Sequence, residues 1–180
     1  DGLLKRLRTT LVRFRRDERA VTLIEFGILA LPFFTIIAAI LETALVFLAG
    51  QILDSAVQDS ARLVRTGQAQ TAGYDSDDFR AAVCAGLYGI FDCSKGAGAK
   101  LRINVAVISD FAEATTGYPL KTGGDCTADE CDWTLADDYV RGAGGDVVLV
   151  QAFYKWPTLV NLPGFNLQSL PDGSRLLGSS

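Results

Sequence analysis

The chain has 180 residues, of which 49% are hydrophobic, and it contains 17 Lys and Arg, 21 Asp and Glu, and no His. Without His, it cannot carry a Ser-His-Asp or Cys-His nucleophile system, His-ligated zinc or a His-ligated haem. Since no other acid–base pair with a nucleophile stands out in the sequence, we expect neither an enzymatic activity nor a cofactor.

The charges are distributed unevenly along the chain. Residues 1–19 carry seven basic and three acidic side chains, a net charge of +4, whereas the remaining residues carry ten basic and eighteen acidic ones, a net charge of −8. A basic arm of this kind is typical either of nucleic-acid binding or of the cytoplasmic flank of a membrane span. The residues that follow the arm decide between these two interpretations.

Residues 20–50 predict a transmembrane helix. Sixteen consecutive residues from Phe26 carry no charge, and the apolar pattern resumes after Glu42. A helix over Val21–Ala49 would extend about 43 Å, which exceeds the ~30 Å hydrocarbon core of a bilayer. A core helix rarely stays apolar on every face over this length, and a cleaved signal sequence normally has a shorter apolar region. We therefore expect one span that contacts the lipid bilayer, and no nucleic-acid partner.

The basic leader also predicts the orientation of the span. Positive charge tends to stay on the cytoplasmic side, which places residues 1–19 in the cytoplasm and residues 51–180 on the far side of the membrane. We expect a single-pass membrane protein with a cytoplasmic N-terminus and, on the far side of the membrane, a head of about 130 residues, large enough to bury its own core.

The cysteines agree with this orientation, because an even number of them lies in the predicted head on the far side of the membrane, where disulfides persist. Three pairings are possible, and we favour two disulfides that each close a short segment. Their separations of nine and five residues do not match the spacing of a structural zinc site. The favoured pairs are Cys84–Cys93 and Cys126–Cys131.

Two helices are predicted in the head. Residues 51–66 place apolar side chains at spacings of one, three and four, which should continue the membrane helix outward as one rod of about 45 residues. A second helix is predicted over Asp77–Phe91, with Asp75 or Ser76 as its N-cap and the Gly-rich residues 93–100 as its end.

Alternating apolar residues predict two strands, over 101–108 and 146–156, joined by a long loop. The apolar but Pro- and Gly-broken residues 159–170 predict a loop that covers the sheet, or alternatively an exposed patch for a partner. The predicted fold class is therefore α+β: a long N-terminal transmembrane helix that extends into a small periplasmic head, with a second helix on an antiparallel sheet.

The loop between these strands is strongly acidic. Residues 123–146 carry seven acidic side chains and one basic one, Arg141. Carboxylates of this kind could bind calcium, but the D-x-D-x-D-G spacing of a calcium loop is missing, so a solvated acidic surface is the other interpretation. The candidate oxygen ligands are Asp125, Asp129, Glu130, Asp132, Asp137 and Asp138.

Two carboxylates interrupt the apolar stretch, Glu25 and Glu42, about 25 Å apart along a helix. Each could lie at a membrane interface in contact with water, or pair with a cation of a partner subunit, since ionisable groups within a span commonly have a function. Small side chains also allow a second helix to approach closely, and a proline could kink the helix. These candidate packing residues are Gly27, Ala30, Pro32, Ala38 and Ala39.

The residues around Glu25 resemble a known processing signal. Basic residues, the small residue Ala20, and the run Val21-Thr22-Leu23-Ile24-Glu25 before an apolar helix are similar to the N-terminal signal of type IV pilin-like proteins. More specifically, AVTLIEFGILALPFF, followed by Glu42 and by DSAVQDSARLVRTG with its Ala61–Arg62 pair, resembles the TadE-like family of the tight-adherence (Tad) pilus system. The resemblance covers about residues 15–66.

The resemblance implies a function in pilus assembly. A prepilin peptidase would cut between Ala20 and Val21, and Glu25, the fifth residue of the mature chain, would neutralise the new α-amino group of a neighbouring subunit. The protein would then be a minor pilin that anchors or initiates a Tad pilus at the bacterial inner membrane, with its head in the periplasm. Its partners would be other membrane subunits, the peptidase and the pilus platform. The alternative is a single-span accessory subunit of another inner-membrane complex, bound through its transmembrane helix.

Overall fold

A computed structural model describes residues 18–96, 98–114, 119–121, 132–162 and 165–180. The chain divides into two compact units, with the boundary between Leu41 and Glu42. A long apolar helix is followed by a small domain with a helix and an antiparallel sheet, which confirms the predicted α+β class. In chain order, the helices are α1 (Glu18–Arg65), α2 (Gln68–Thr71) and α3 (Ser76–Gly86), with a 3₁₀ turn at Phe111–Glu113, and the strands are β1 (Leu101–Ile108), β2 (Val147–Pro157), β3 (Asn161–Leu162), β4 (Phe165–Asn166) and β5 (Ser174–Ser179).

Helix α1 is 48 residues long and passes through Pro32 without a break, as the prediction of one continuous rod requires. Its N-terminal part exposes large apolar side chains on every side, with Phe26 67% and Leu31 72% exposed. The mean hydropathy of its most apolar window is 2.3, and within the described residues it is the one helix long and apolar enough to cross a membrane. Apolar surface this extensive is stable in lipid rather than in water.

The C-terminal part of α1 belongs to the core of the head. Leu53, Ala56, Val57 and Val64 are at most 6% exposed and recur at spacings of one, three and seven residues. They pack against α3 and against one face of the sheet. This confirms the amphipathic pattern predicted for residues 51–66.

Helix α3 begins at the predicted cap but ends before the predicted residue. The Asp75 carboxylate accepts the N–H groups of Asp77 and Asp78, and the Asp78 carboxylate accepts the N–H of Asp75, which completes a capping box. The helix ends at Gly86 rather than at Phe91, so the Gly-rich segment 93–100 does not terminate it.

The early end of α3 follows from what the next residues bury. Tyr88 and Gly89 adopt left-handed backbone conformations (φ 52° and 72°), which reverse the chain. The reversal brings Phe91 into the core, where its ring packs edge-on against Tyr154 with centroids 4.7 Å apart. Burial raises the pKa of the Tyr154 phenol, whose oxygen accepts the N–H of Asp92 at 3.1 Å.

The reversal also places Cys93 beside Cys84, and the two form a disulfide. This confirms the first of the two favoured pairs. The second favoured pair, Cys126–Cys131, lies outside the described residues.

The main sheet has the order β1-β2-β5, and all its strands are antiparallel. The predicted strands 101–108 and 146–156 are confirmed with small shifts, and β1 pairs with β2 from Leu101↔Tyr154 to Ile108↔Val147. Strand β5 was not predicted, because its sequence SRLLGS has no clear alternation of apolar and polar residues. The segment 159–170 contains the β3–β4 pair, and Leu170 packs against Leu120 in a separate small cluster.

The free edge of β1 is covered by part of the predicted acidic loop. The Val105 N–H donates to the carbonyl of Asp138, and the Val140 N–H donates to the carbonyl of Val105, both at 2.8 Å. Tyr139 forms a parallel bridge with Val105. The residues around Tyr139 therefore act as a short additional strand beside β1.

A buried arginine joins α3 to this arrangement. Arg80 is 5% exposed, and its guanidinium donates to Asp137 Oδ2 at 2.8 Å, to the Ser94 carbonyl at 3.1 Å and to the Leu101 carbonyl at 3.0 Å. The other oxygen of Asp137 accepts the N–H of Ile103 at 3.1 Å. One ion pair thus connects α3, the turn after it, β1 and the acidic loop.

Replacing Arg80 by Met should lower the free energy of unfolding of the head by about 3–5 kcal/mol, because three carbonyls lose their side-chain donor and Asp137 loses its shorter ion pair, keeping only the Ile103 N–H and Arg102 at 3.9 Å. The measurement is urea denaturation of the full chain in detergent micelles, followed by tryptophan fluorescence, since both Trp residues (Trp133 and Trp156) lie in the head. The matched control is Lys95→Met, which removes an exposed ion pair with Asp77 and should change stability little. Equal effects of the two substitutions would contradict this account.

Candidate assembly site on helix α1

The residues predicted for processing lie at the start of α1. Ala20 and Val21 belong to the first turns of the helix, which begins at Glu18. Glu25 is one turn further along and is exposed, as the interfacial and the subunit-pairing interpretations both require. Its carboxylate is therefore accessible to a cation of another molecule.

The small residues of the span fall on two sides of the helix. At ~100° per residue, Gly27, Ala30 and Ala38 lie within about 80° of one another. Pro32 and Ala39 lie on a different side, within about 40° of Glu25. Each of these residues is at least partly exposed. Each side therefore leaves room for another helix, and only the side of Ala39 also carries a carboxylate, that of Glu25.

Glu42 has surroundings quite different from those of Glu25. It is 6% exposed, and its two carboxylate oxygens accept one backbone N–H each, from Leu159 to Oε1 and from Val160 to Oε2, both at 2.7 Å. Hydrogen bonds to a charged group contribute about 1.5–3 kcal/mol each. Two successive N–H groups that point at one anion form a small anion-binding concavity. The sequence allowed two interpretations of Glu42, a carboxylate in contact with water or one paired with a cation of another subunit. The structure shows a third arrangement, in which backbone N–H groups of the same chain bind the carboxylate.

Glu42 occupies the first position of the buried stripe of α1. Val46 and Ala49, four and seven residues later, are 8% and 2% exposed, and the stripe continues into the core residues from Leu53 onward. A helical residue four positions before a buried one faces the same side. This spacing was the sequence signal that could have placed Glu42 against the head, although it does not identify the N–H donors.

The Ala61–Arg62 pair lies near the C-terminal end of α1. Ala61 is partly buried against the core, whereas Arg62 is exposed and lines an open groove of about 930 Å³. The opposite wall of the groove is formed by the Gly144–Gly145 turn and the beginning of β2. The side chain of Gln70 donates to the Arg141 carbonyl at 2.8 Å and closes one end of this region.

Two carboxylates of the acidic loop form ion pairs with basic residues of the same chain. Asp137 pairs with Arg80, and Asp132 pairs with Lys121 at 3.0 Å. The residues that the structure describes contain no cluster of three or more potential metal ligands. Of the remaining candidates for calcium, Asp138 is exposed, and Asp125, Asp129 and Glu130 lie outside the described ranges.

One long apolar helix ahead of a small α+β domain indicates a single-pass membrane protein. Comparison with protein families identifies its N-terminal part: the family model described as TadE-like protein matches residues 20–62. The match confirms the resemblance to the TadE-like family over less than half of the chain, from the small residue before Val21 to Arg62. No curated protein and no solved structure matches the chain.

Replacing Glu42 by Ala should release the loop at Leu159, because two backbone N–H groups lose their acceptor. We expect a loss of about 2–4 kcal/mol in the free energy of unfolding of the head and faster amide hydrogen exchange at Leu159 and Val160, measured in detergent micelles. Glu42→Gln should have an intermediate effect, since its one amide oxygen can still accept.

The control for this experiment is Glu25→Ala, which removes an exposed carboxylate from the same helix. It should leave hydrogen exchange in the head unchanged. Unchanged exchange at Leu159 and Val160 in the Glu42→Ala protein would show that the carboxylate does not hold the loop.

Proposed function

We propose that the protein is a minor pilin-like subunit that anchors or initiates a Tad pilus at the bacterial inner membrane, and that it has no enzymatic activity. The observation that carries this proposal is the TadE-like match over residues 20–62. That segment contains the proposed cleavage site, the exposed Glu25 and the small residues of the span. Prepilin peptidase and the pilus platform are the proposed partners.

The chemistry of assembly follows from two features of α1. Cleavage between Ala20 and Val21 creates an ammonium group on Val21, and the exposed Glu25 of a neighbouring subunit offers a carboxylate to it. Such a pair is worth more in the poorly hydrated membrane interface than in water. Lateral packing against the small residues of the span would hold the two helices together while the pair forms. Of these residues, Ala39 lies on the same side of α1 as Glu25, about 21 Å further along the axis.

The proposed orientation rests on charge and on the disulfide. The basic residues before the span favour a cytoplasmic N-terminus. The Cys84–Cys93 bond is typical of an oxidising compartment, which in a bacterium is the periplasm. Both observations support a periplasmic head.

Processing is tested by the intact mass of the protein isolated from membranes with and without the prepilin peptidase. We expect a chain that begins at Val21 only when the peptidase is present. Glu25→Gln should still be cut but should fail to recover other pilus subunits in mild detergent, because the amide carries no charge for the neighbouring ammonium. Glu25→Asp, which keeps the charge, is the matched control.

A single uncut mass in both strains, together with normal subunit recovery by Glu25→Gln, would contradict the pilin proposal. That result would favour the alternative, an accessory subunit that uses an uncut pilin-like anchor in another inner-membrane complex. The proteins recovered with it would then identify that complex.

Orientation is tested by labelling a single added cysteine with a membrane-impermeant maleimide in cells whose outer membrane has been permeabilised. Phe111 is 76% exposed, so Phe111→Cys should react without lysis if the head is periplasmic. In cells that lack the prepilin peptidase and therefore keep the leader, a cysteine in place of Thr9 should react only after the inner membrane is broken. The reverse pattern would overturn the proposed topology.

A further inference from the structure

The segment from the last residue of β2 to the start of β3, residues 157–160, presents an apolar side chain that the core does not use. Leu159 is 85% exposed, the highest value among the large apolar side chains that the structure describes. Its position is fixed on both sides, since the Thr158 hydroxyl donates to the Gly173 carbonyl at 2.6 Å and the N–H groups of Leu159 and Val160 donate to Glu42. We call these four residues the Leu159 loop.

The Leu159 loop is attached to α1 at the level where the helix leaves the hydrocarbon core. About 20 residues of helix fill a core of ~30 Å, so a span that starts near Phe26 reaches the opposite boundary near Leu45. Leu45 and Leu48 are still 50% and 52% exposed, as expected of side chains that contact lipid. Glu42 lies about one turn before Leu45, and the Leu159 N–H is 2.7 Å from its carboxylate.

Contact with lipid requires that the backbone polar groups of the loop have hydrogen-bond partners, and in the Leu159 loop Glu42 provides them. An N–H group without a partner is costly in a hydrocarbon environment, and so is an isolated carboxylate. Glu42 satisfies the N–H groups of Leu159 and Val160, and these two donors compensate its charge. The hydrogen-bonded unit can therefore lie at the acyl boundary with the Leu159 side chain directed outward.

The adjoining part of the head matches the charge of a membrane surface. The antiparallel register that pairs Leu101 with Tyr154 brings the beginning of β1 to the end of β2. Two basic side chains, Lys100 and Lys155, and one acidic side chain, Asp172, line a shallow depression there beside Pro157 and Thr158. The Lys155 ammonium also lies over the Trp133 ring, 4.9 Å from its centroid. Hydrogen bonds from Ser94 and, to a smaller degree, the charge of Lys100 lower the pKa of the nearby Asp92, so Lys100 and Lys155 each already have a partner within the head. This local positive charge in an otherwise acidic head is complementary to anionic headgroups.

From this geometry we propose that the Leu159 loop inserts into the outer surface of the bilayer that α1 spans, with Lys100 and Lys155 at headgroup level. The occupant of this apolar surface is lipid, because the loop is bound to helix residues whose own apolar neighbours contact lipid. The head then has a second membrane contact besides the span. This inference does not depend on the pilus proposal.

The test uses the purified full chain, reconstituted in phosphatidylcholine–phosphatidylglycerol vesicles under non-reducing conditions. An environment-sensitive fluorophore is attached to Leu159→Cys and, as a matched control, to Phe111→Cys, which is also exposed but follows β1 at the opposite end of the sheet. Each sample is measured with lipids that carry a nitroxide quencher near the top of the acyl chain. Neither substitution removes a buried side chain, and tryptophan emission verifies that the head is folded.

We expect the label at position 159 to emit at shorter wavelength and to lose most of its fluorescence to the lipid quencher, while the label at position 111 keeps its fluorescence. Adding Glu42→Ala to Leu159→Cys should reduce the quenching, because the loop is no longer held at the helix. Both effects should be independent of the protein-to-lipid ratio.

Three results would overturn the inference. The first is a label at position 159 that is as accessible to water as the label at position 111. The second is equal quenching at both positions, which would mean that the whole head collapses on the vesicle. The third is protection that rises with the protein-to-lipid ratio without lipid quenching, which would identify a second copy of the chain as the occupant. None of these results bears on cleavage before Val21, so the pilin proposal is tested separately.

Discussion

Helix α1 exposes apolar side chains along its first part and packs against the core of the head along its second part. Glu42 lies at the boundary between these two parts. Before it, apolar side chains are exposed on all sides of the helix; after it, one face is buried at every third or fourth residue, beginning with Val46 and Ala49. A carboxylate at this position is shielded from water and needs other donors. The two backbone N–H groups of the Leu159 loop supply them.

The position of the sheet depends on this interaction. Strand β2 ends at Pro157, directly before the loop that Glu42 holds, so one end of the strand is fixed against α1. Further along α1, Asp54 accepts the hydroxyl of Ser179 at 2.7 Å, which fixes the end of β5. Since β1 and β5 both pair with β2, these two polar contacts set the position of all three strands along the helix.

The sequence predicted the elements that depend on local pattern. The span, the cap at Asp75, strands β1 and β2 and the Cys84–Cys93 pair each follow from spacing within a short segment. The contacts that assemble the head were not predicted, because they join distant residues: Glu42 and Leu159 are 117 positions apart, and Arg80 and Asp137 are 57 apart. The donors to Glu42 are also backbone groups, which almost any residue can provide, so no residue type marks them.

The end of α3 shows a different limit of prediction. The apolar residues Leu87, Ile90 and Phe91 fit a continued helical pattern, and the helix nevertheless ends at Gly86. The deciding factor is tertiary packing. Gly86 packs so closely on α1 that an added Cβ would lie 2.9 Å from the Cβ of Ala56. The residues after Gly86 then reverse direction, which buries Phe91 and joins Cys93 to Cys84. The Cys84–Cys93 pair is local and was predicted, but no pattern within the segment indicates that Gly86 packs on Ala56 or Phe91 on Tyr154.

Both edge strands of the sheet, β1 and β5, are partly covered, and this limits how two copies of the protein can associate through their sheets. Exposed strand edges invite other chains to add to a sheet, and proteins commonly block them. Beside β1, the backbone groups of Val105 are already bonded to Asp138 and Val140. Beside β5, the carbonyl of Ser174 accepts the N–H groups of Ser169 and Leu170, and the N–H of Leu176 donates to the Ser169 hydroxyl. At these residues the head is closed to growth by strand pairing, so a second copy cannot add a strand to the sheet there.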